Sequence, residues 1–246
     1  MRVPRLYHPG PLHDGAEVLL ARDQATHVER VLRLSCGDAV NLFDGDGHEH
    51  GGQLVSLARN AVRVAVGAAI SARPESGLRS SLLQGICRGP RMDLVVQKAT
   101  ELGVTRIVPV RCERSVVRLD EQRAARRLAH WRGVAIAAAE QCGRARLPAI
   151  DAPAGLTDAL ASVAADGQRV LLSPDAGRGL GALPRDGNGI SLLIGPEGGM
   201  TNTERAIARE HGFEEYALGP RVLRTETAAL TALAVLQFLR GDLDGS

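Results

Sequence analysis

Residues 78–246 alternate short apolar strands with helical segments, and this rhythm is the feature that most restricts the fold. The strand candidates are 81–86, 107–110, 170–172, 190–194 and 215–218, and the helix candidates between them are 92–102, 121–142, 205–211 and 225–239. Such alternation is typical of a mostly parallel sheet with helices on both faces. We therefore predict an α/β domain over residues 73–246.

Residues 1–72 follow a different pattern, one of short strands separated by turns. The strand candidates are 2–6, 17–20, 39–43 and 53–57, followed by the alternating residues Val62, Val64 and Val66. A helix that Asp23 would cap runs through Leu34. The pattern predicts a small β-barrel or sandwich, joined to the second domain by a linker at residues 71–77.

Several classes of protein are disfavoured by composition. No stretch approaches the roughly 20 apolar residues of a membrane span, and the N-terminus lacks the apolar segment of a signal peptide, so we expect a cytoplasmic protein with no membrane partner. The four cysteines are far apart, with no Cys-x-x-Cys spacing that would indicate zinc or a disulfide framework. We interpret the His48-Glu49-His50 segment as exposed polar residues and predict no metal.

The net charge of +2 conceals an uneven distribution of charge along the chain. Residues 74–150 contain 14 Lys and Arg against 7 Asp and Glu, whereas residues 151–246 contain 8 against 13. Arginine pairs with phosphate in a bidentate manner, and local positive potential attracts nucleic-acid backbones. The basic middle of the chain indicates a nucleic-acid partner, although arginine on an ordinary solvated surface remains an alternative.

Two glycine-rich turns, at residues 195–199 and 218–228, each follow a strand and lead into a helix. Glycine allows the backbone to approach a ligand closely, and ligands of open α/β sheets bind at the carboxyl ends of strands. The first turn lacks the Lys and Ser/Thr of a P-loop and the Gly-x-Gly-x-x-Gly spacing of dinucleotide sites, which argues against ATP and NAD. A purely structural turn is the alternative for the first segment alone.

Residues 224–227 place a guanidinium, a carboxylate and two hydroxyls at the start of the last helix. Free N–H groups and hydroxyls at a helix N-terminus can bind polar ligand atoms. The alternative is simple capping, with Thr225 as the N-cap and Glu226 favoured by the helix dipole. The last helix is apolar on nearly all sides, which predicts burial in the core or at a subunit interface.

Four segments in order, 97–103, 140–144, 195–199 and 218–228, resemble the RsmE family of 16S ribosomal RNA uridine N3 methyltransferases. The resemblance extends to the N-terminal segments 27–33 and 43–45 and so covers nearly the whole chain. It implies a PUA-like RNA-binding β-barrel at residues 1–72 and a SPOUT methyltransferase domain with a trefoil knot at residues 73–246. It also implies a homodimer that acts on 16S rRNA of the small ribosomal subunit.

The resemblance further implies that S-adenosyl-L-methionine binds in the knot, largely through backbone groups. The cofactor residues carried over are Leu172, Ser173, Gly195, Pro196, Glu197, Gly198, Gly199, Leu218, Gly219, Leu223, Thr225, Thr227 and Ala228. The chain departs from the family pattern at residues 88–91, where Arg-Gly-Pro-Arg replaces Lys-Gly-Asp-Arg, and at Met200, which replaces an aromatic residue.

Methylation of uridine N3 requires alignment of donor and acceptor and loss of the N3 proton. The predicted catalytic residues are Glu226 as the base and Arg224 as the group that polarises a uracil carbonyl, with water as a rival base. The target base must be turned out of its stack. The residues predicted to hold the RNA backbone are Arg5, His27, Arg30, Arg33, Arg88, Arg91, Lys98 and Arg114.

Two other functions remain open at this point. Another SPOUT methyltransferase, acting on a tRNA or on a ribose 2'-hydroxyl, would use the same donor pocket. A non-enzymatic RNA-binding or assembly protein would use the barrel and the basic segment and would not need the pocket.

Overall fold

The computed structural model describes residues 3–58, 61–115, 120–164, 167–187 and 189–245. The chain forms two compact units, one of Met1–Glu75 with Ile136–Leu147 and one of Ser76–Ala135 with Pro148–Ser246. The first unit therefore includes a short stretch, 136–147, that the sequence analysis assigns to the second domain.

A five-stranded sheet forms the first unit within the described residues, with strand order β1-β3-β4-β5-β2. The strands are β1 (Arg5–Tyr7), β2 (Glu17–Leu19), β3 (Ala39–Phe43), β4 (Glu49–Ala58) and β5 (Ala61–Ile70). β1 pairs with β3 in parallel, and the other pairs are antiparallel. Val62, Val64 and Val66 are all buried, as their alternation predicts. Arg2, where the first predicted strand begins, lies outside the described residues.

The predicted capping of the first helix by Asp23 is wrong. Helix α1 (Arg22–His27) begins after Ala21, which makes no side-chain capping bond, and Asp23 lies within its first turn. The helix passes directly into a π-helical turn, Val28–Leu32, which ends at Arg33 in a left-handed conformation with φ of 53°. The last helical residue is therefore Leu32, two residues earlier than predicted.

The sheet of the second unit is entirely parallel among the described residues. Its strands are β6 (Arg79–Gly85), β7 (Arg106–Arg111), β8 (Ala149–Ile150), β9 (Ala154–Gly155), β10 (Gln168–Leu172), β11 (Gly189–Ile194) and β12 (Glu214–Tyr216). The strand order is β12-β10-β11-β6-β7-β8, with β9 also paired to β7. The direction of winding changes between β6 and β11, and such switch points are where open α/β sheets bind ligands.

Helices flank the sheet of the second unit. They are α2 (Gly89–Glu101), α3 (Glu121–Cys142), α4 (Leu156–Ala161), α5 (Asn202–Glu210) and α6 (Thr225–Arg240). Pro90 lies in the first turn of α2, where its missing N–H has no partner to lose, so the departure from the family pattern favours the start of the helix. The predicted capping box of α5 is confirmed, because Thr201 and Glu204 exchange side-chain-to-backbone bonds.

The last helix, α6, buries one face against the sheet. Ala229, Ala232, Leu233 and Leu236 are almost fully buried in the main core, whereas Phe238 is 60% exposed. Within the described segments, no helix is both long enough and apolar enough to cross a membrane. The trefoil knot stays a prediction from the resemblance.

Candidate active site

A cavity of about 520 Å³ lies at the carboxyl ends of β10, β11 and β12 and at the start of α6. It is lined by Arg91, Leu171, Leu172, Ser173, Pro174, Asp175, Ile194, Gly195, Pro196, Glu197, Gly199, Met200, Arg205, Leu218, Arg221, Val222, Leu223, Arg224, Thr225 and Ala228. Its volume falls in the range of small-molecule and cofactor sites. The two glycine-rich turns thus form one pocket, as expected from their position after strands.

Most of the predicted cofactor residues line this cavity, together with Arg224. The predicted site residues of this region that do not line it are Gly198, Gly219, Glu226 and Thr227. The lining residues that sequence reasoning missed are Leu171, Pro174, Asp175, Ile194, Met200, Arg205, Arg221 and Val222. Most of the missed residues are sequence neighbours of predicted ones, so position next to a strand end was the available signal.

Glycine is required at two positions around the first turn, for two different reasons. A Cβ on Gly85, at the end of β6, would lie 2.5 Å from the backbone nitrogen of Pro196, so a side chain there would collide with the turn. The turn closes through a bond from Gly199 N to Pro196 O of 2.9 Å, with Gly199 in the left-handed region at φ of 68°, which favours glycine.

Thr225 is a link between elements rather than the helix cap. Its Oγ1 donates to Gly195 O at 2.6 Å and accepts from Gln84 Nε2 at 2.8 Å. The N-cap is Arg224, which makes no side-chain capping bond. The capping alternative for Thr225 is therefore wrong, and its buried hydroxyl joins the start of α6 to the ends of β6 and β11.

A guanidinium between two carboxylates stands beside the cavity. Arg91 Nη1 donates to Glu197 Oε1 at 3.0 Å, and Arg91 Nε lies 3.6 Å from Glu226 Oε1. Glu197 Oε1 also accepts from the backbone N of Arg88 at 3.0 Å. The second oxygen of each carboxylate, Oε2, is buried without a hydrogen-bond partner in the described part of the chain. The cluster contains two carboxylates for one guanidinium.

This environment shifts the pKa values of two groups. Burial alone would raise the pKa of Glu197, but bonds from the backbone N–H groups of Arg88 and Glu197 and from the Arg91 guanidinium outweigh it and lower the pKa. Burial, followed by the nearby charges of Glu197 and Glu226, raises the pKa of the Cys87 thiol to about 12. Cys87 therefore remains a neutral thiol, and the site lacks a thiolate at this position.

A second charged network supports the part of the lining that follows β10. Ser173 Oγ accepts from Arg205 Nη2 at 3.0 Å, and Arg205 also forms a close ion pair with Glu215. Arg205 Nη1 lies 3.6 Å from Asp175 Oδ2. These bonds hold Ser173 and Asp175, which follow β10 and line the cavity.

The predicted RNA-contact residues occupy varied positions. In the first unit, His27, Arg30 and Arg33 are exposed on α1 and the π-helical turn. In the second unit, Arg88 and Arg114 are exposed, Lys98 pairs with Glu101 at 2.8 Å, and Arg91 belongs to the cluster described above. Arg114 Nη1 also donates to Gly198 O at 3.3 Å.

Arg5 is the exception, and its prediction as a phosphate contact requires correction. Its side chain is only 6% exposed and donates to both carboxylate oxygens of Glu49 at 2.9 Å. Its remaining bonds go to the carbonyls of Ala139 and Arg144. The guanidinium is enclosed in the interior of the first unit, so it is not available to a backbone phosphate.

The same contact corrects the interpretation of the His48-Glu49-His50 segment as uniformly exposed. Glu49 is buried as the partner of Arg5, whereas His48 is exposed and pairs with Asp44 at 2.8 Å. Among the residues that the structure describes, no group of three His, Cys, Asp or Glu side chains is arranged to hold a metal ion.

Comparison with family models and known proteins identifies the relatives of this chain. Residues 74–237 match the model of the RNA methyltransferase domain, and residues 20–66 match that of the RNA methyltransferase PUA domain. The chain is 30% identical to ribosomal RNA small subunit methyltransferase E of Mycobacterium bovis over 257 aligned residues, which cover 99% of this chain and 95% of that protein.

Two solved structures are similar over nearly their whole length. The ribosomal RNA small subunit methyltransferase E of Neisseria gonorrhoeae, bound to S-adenosyl methionine, has a TM-score of 0.91 and 38% identity over 98% of this chain and 100% of that one. A putative methyltransferase of Legionella pneumophila, in complex with the same cofactor, has a TM-score of 0.94 and 37% identity over 99% and 100%.

These matches confirm the predicted fold class, an N-terminal PUA-like domain followed by an α/β SPOUT methyltransferase domain. The match to the catalytic domain covers well over half of the chain, and the full-length relatives share one name. The chain therefore belongs to the RNA methyltransferase family, within its ribosomal RNA small subunit methyltransferase E (RsmE) group.

Proposed function

We propose that this RNA methyltransferase transfers a methyl group from S-adenosyl-L-methionine to N3 of a uridine in 16S rRNA of the small ribosomal subunit. The observation that carries the proposal is the cavity at the carboxyl ends of β10, β11 and β12, with walls formed by two glycine-rich turns. Two relatives of the same fold bind this cofactor, and the N3 position follows the family resemblance.

The donor set of the cavity fits the chemistry of S-adenosylmethionine. Leu172, Leu218 and Leu223 provide apolar surface for a purine ring. Asp175 is suited to a hydroxyl or an ammonium group, and Arg221 is suited to a carboxylate. When bound, the cofactor supplies a methyl group activated by attachment to a sulfonium.

The chain's own residues would then hold and orient the acceptor base. Arg224 lines the cavity and is exposed, so its guanidinium is placed to donate to a uracil carbonyl. Glu226, the predicted base, is 9% exposed, and its carboxylate lies beside Arg91 rather than in the lining. The contacts of Glu226 favour a role through Arg91.

The first unit supports binding of the rRNA, and α6 supports a homodimer. The exposed His27, Arg30 and Arg33 of the PUA-like unit provide positive charge for phosphates.

Phe238 leaves a large apolar side chain on the surface of α6, as expected of a subunit interface. An rRNA substrate places the protein in the cytoplasm. Sedimentation of the purified protein as a monomer at micromolar concentration would contradict the dimer.

The test of the proposed function has two parts. The first is nucleoside analysis of 16S rRNA from a strain that lacks the gene, which we expect to lack 3-methyluridine and to regain it on complementation. A missing tRNA or 2'-O-methyl nucleoside would favour the alternative SPOUT activities. No change in modification would favour a non-enzymatic RNA-binding protein.

The second part disturbs the cavity directly by the substitution Gly85→Ala. The added Cβ meets the backbone of Pro196 at 2.5 Å, so the turn must move. Such overpacking costs roughly 1 to 3 kcal/mol, and we expect calorimetry to show S-adenosylmethionine binding weakened about tenfold or more. Gly181→Ala is the matched control, because a Cβ there meets nothing within 4 Å. Equal affinities in the two variants would show that the cofactor does not bind in this cavity.

A further inference from the structure

We propose that Arg91 is a catalytic residue that contacts the acceptor base, and that Glu197 and Glu226 are positioning residues that act through it. The inference rests on the proposed function and changes the role of Arg91 from a backbone contact to a group at the reacting centre. It also changes the role of Glu226 from base to support. The juxtaposition that carries it is the guanidinium of Arg91, clamped by two carboxylates at the wall of the donor cavity.

Arg91 is held from two sides yet remains open to the cavity. It extends from the first turn of α2, pairs with Glu197 in the turn after β11, and lies beside Glu226 in the first turn of α6. Its side chain is 38% exposed and lines the cavity. In the described part of the chain, Nη1 bonds to Glu197, and no hydrogen bond occupies Nη2. One edge of the guanidinium is thus fixed, and another is available to a ligand.

The carboxylates suit a supporting role better than a direct one. The Glu197 side chain is 19% exposed and that of Glu226 is 11% exposed, and each directs Oε1 at Arg91. Two carboxylates that are largely shielded from solvent flank the one guanidinium, so the cation is held in place from two sides. Glu226 is absent from the lining of the cavity, whereas Arg91 is part of it.

A cation at this position matches the charge that the reaction creates. Loss of the N3 proton to solvent water leaves negative charge shared by N3 and the two carbonyl oxygens of uracil. The N3 electron pair then forms the bond to the methyl carbon, and the carbon–sulfur bond breaks with its electrons going to sulfur. A guanidinium N–H aimed at a carbonyl oxygen stabilises the anion before transfer, as preorganised donors do in oxyanion holes.

The test compares Arg91→Gln with Arg185→Gln in single-turnover methylation at saturating cofactor and saturating small subunits from a strain that lacks the gene. Arg185 is the matched control, because it is an exposed arginine of the same unit that neither lines the cavity nor belongs to the predicted RNA contacts. We expect Arg91→Gln to lower the rate about 10²-fold, the effect of removing one oxyanion donor. Arg185→Gln should change the rate less than about threefold, since it removes an equal charge away from the reacting centre.

A second measurement separates stabilisation of the anion from a merely structural role. Small subunits from the same strain grown with 5-fluorouracil contain 5-fluorouridine, whose N3 proton is more acidic because fluorine withdraws electrons. Since the anion then forms more easily, we expect the difference in rate between wild type and Arg91→Gln to shrink. An unchanged difference would overturn the proposal, and so would a wild-type rate for Arg91→Gln.

The positioning roles predict non-additive effects. Glu226→Gln should slow the reaction, and the Arg91→Gln/Glu226→Gln double variant should be no slower than Arg91→Gln alone, because both changes act on one group. A double variant that multiplies the two losses would show that Glu226 acts independently. If Arg91→Gln does not fold, Arg91→Lys replaces it, since it keeps the charge and loses the fork.

Calorimetry with S-adenosylmethionine is the readout that is independent of activity. We expect wild type, Arg185→Gln and Arg91→Gln to bind the cofactor with affinities within about threefold of one another. Failure of wild type to bind the cofactor or to methylate the subunits would count against the proposed function itself. Wild-type activity combined with an unaffected Arg91→Gln rate would count against the role of Arg91 alone.

Discussion

The two units of this protein each contain an arginine held by glutamate, and the two arrangements differ in how completely their bonds are used. In the first unit, Arg5 forms a bidentate pair with Glu49, donates to two carbonyls, and lies 4.7 Å over the ring of Phe43. In the second unit, Arg91 lies between two carboxylates and remains 38% exposed at a cavity. The first arginine is enclosed and the second is open.

The difference distinguishes a structural ion pair from a group available for chemistry. Every terminal nitrogen of Arg5 has a protein partner, so a ligand would have to displace an existing bond. The cluster of Arg91 leaves one buried oxygen on each of its two carboxylates without a partner. Buried groups with unused bonding capacity cost stability, and proteins retain them chiefly at functional sites. We therefore expect a cluster whose hydrogen-bonding groups all have partners to be structural, and a cluster with unpaired groups to be functional.

The largest expected effect on stability is that of Arg5→Ala. This change leaves the carboxylate of Glu49 buried, with only the 3.2 Å bond from Asn41 Nδ2 among the residues that the structure describes, and removes the cation over Phe43. Breaking a buried pair in this way costs about 3 to 5 kcal/mol. We expect amide hydrogen exchange in β3 and β4 to report that loss of unfolding free energy.

Arg91→Gln serves as the control for Arg5→Ala, because the Arg91 side chain is 38% exposed and ion pairs open to solvent contribute about 1 kcal/mol or less. Exchange in β6 and β11 of that variant should remain close to wild type. Equal losses of stability in the two variants would remove the distinction between the enclosed and the open arginine.

A smaller effect is expected for Thr225→Val, which tests this expectation inside the candidate site. The Thr225 hydroxyl is fully used, donating to Gly195 O and accepting from Gln84 Nε2, so it should behave like Arg5. Removing the hydroxyl while keeping the shape leaves buried partners unsatisfied, at a cost of about 1 to 3 kcal/mol. Thermal unfolding measures the loss, and Thr225→Ser, which keeps the hydroxyl, should be near wild type. A Thr225→Val variant as stable as wild type would contradict a structural role for the hydroxyl.

Much of the fold could be predicted because its signals are local. Apolar runs identified most strands of both sheets within a few residues, and Thr201 with Glu204 identified the start of α5. The two-residue strands β8 and β9 were missed, because they are too short to show a pattern. The helix near Asp23 was predicted less well, since a π-helical turn has no sequence signature that a capping rule detects.

The candidate site was predictable only in part, for a related reason. Glycine turns after strands pointed to the cavity, because they are local features of the backbone. The ion pairs were not visible, since Arg5 and Glu49 are 44 residues apart and Arg91 and Glu197 are 106 apart. From the sequence alone, an arginine is interpreted as a surface charge whether it is enclosed or open, and only the packing of the chain distinguishes the two.

The smallest predicted effect concerns Glu197, whose pKa in the folded protein lies below the ordinary value of 4.5. Although burial opposes ionisation, the bonds from Arg88 N, from its own backbone N–H and from Arg91 favour it. A lowered folded pKa contributes stability that is present above the unfolded pKa and is lost as pH falls through the folded pKa.

We expect the free energy of unfolding of wild type to exceed that of Glu197→Gln by about 1 kcal/mol or less at neutral pH. This difference should close as the pH falls below 4.5. Urea unfolding across this range measures the difference, and Glu210→Gln on the exposed side of α5 is the control. A difference that grows toward acid pH would mean that the carboxylate is a cost to the fold, and the open cluster would then be held together by the packing of α2 and α6 rather than by its charges.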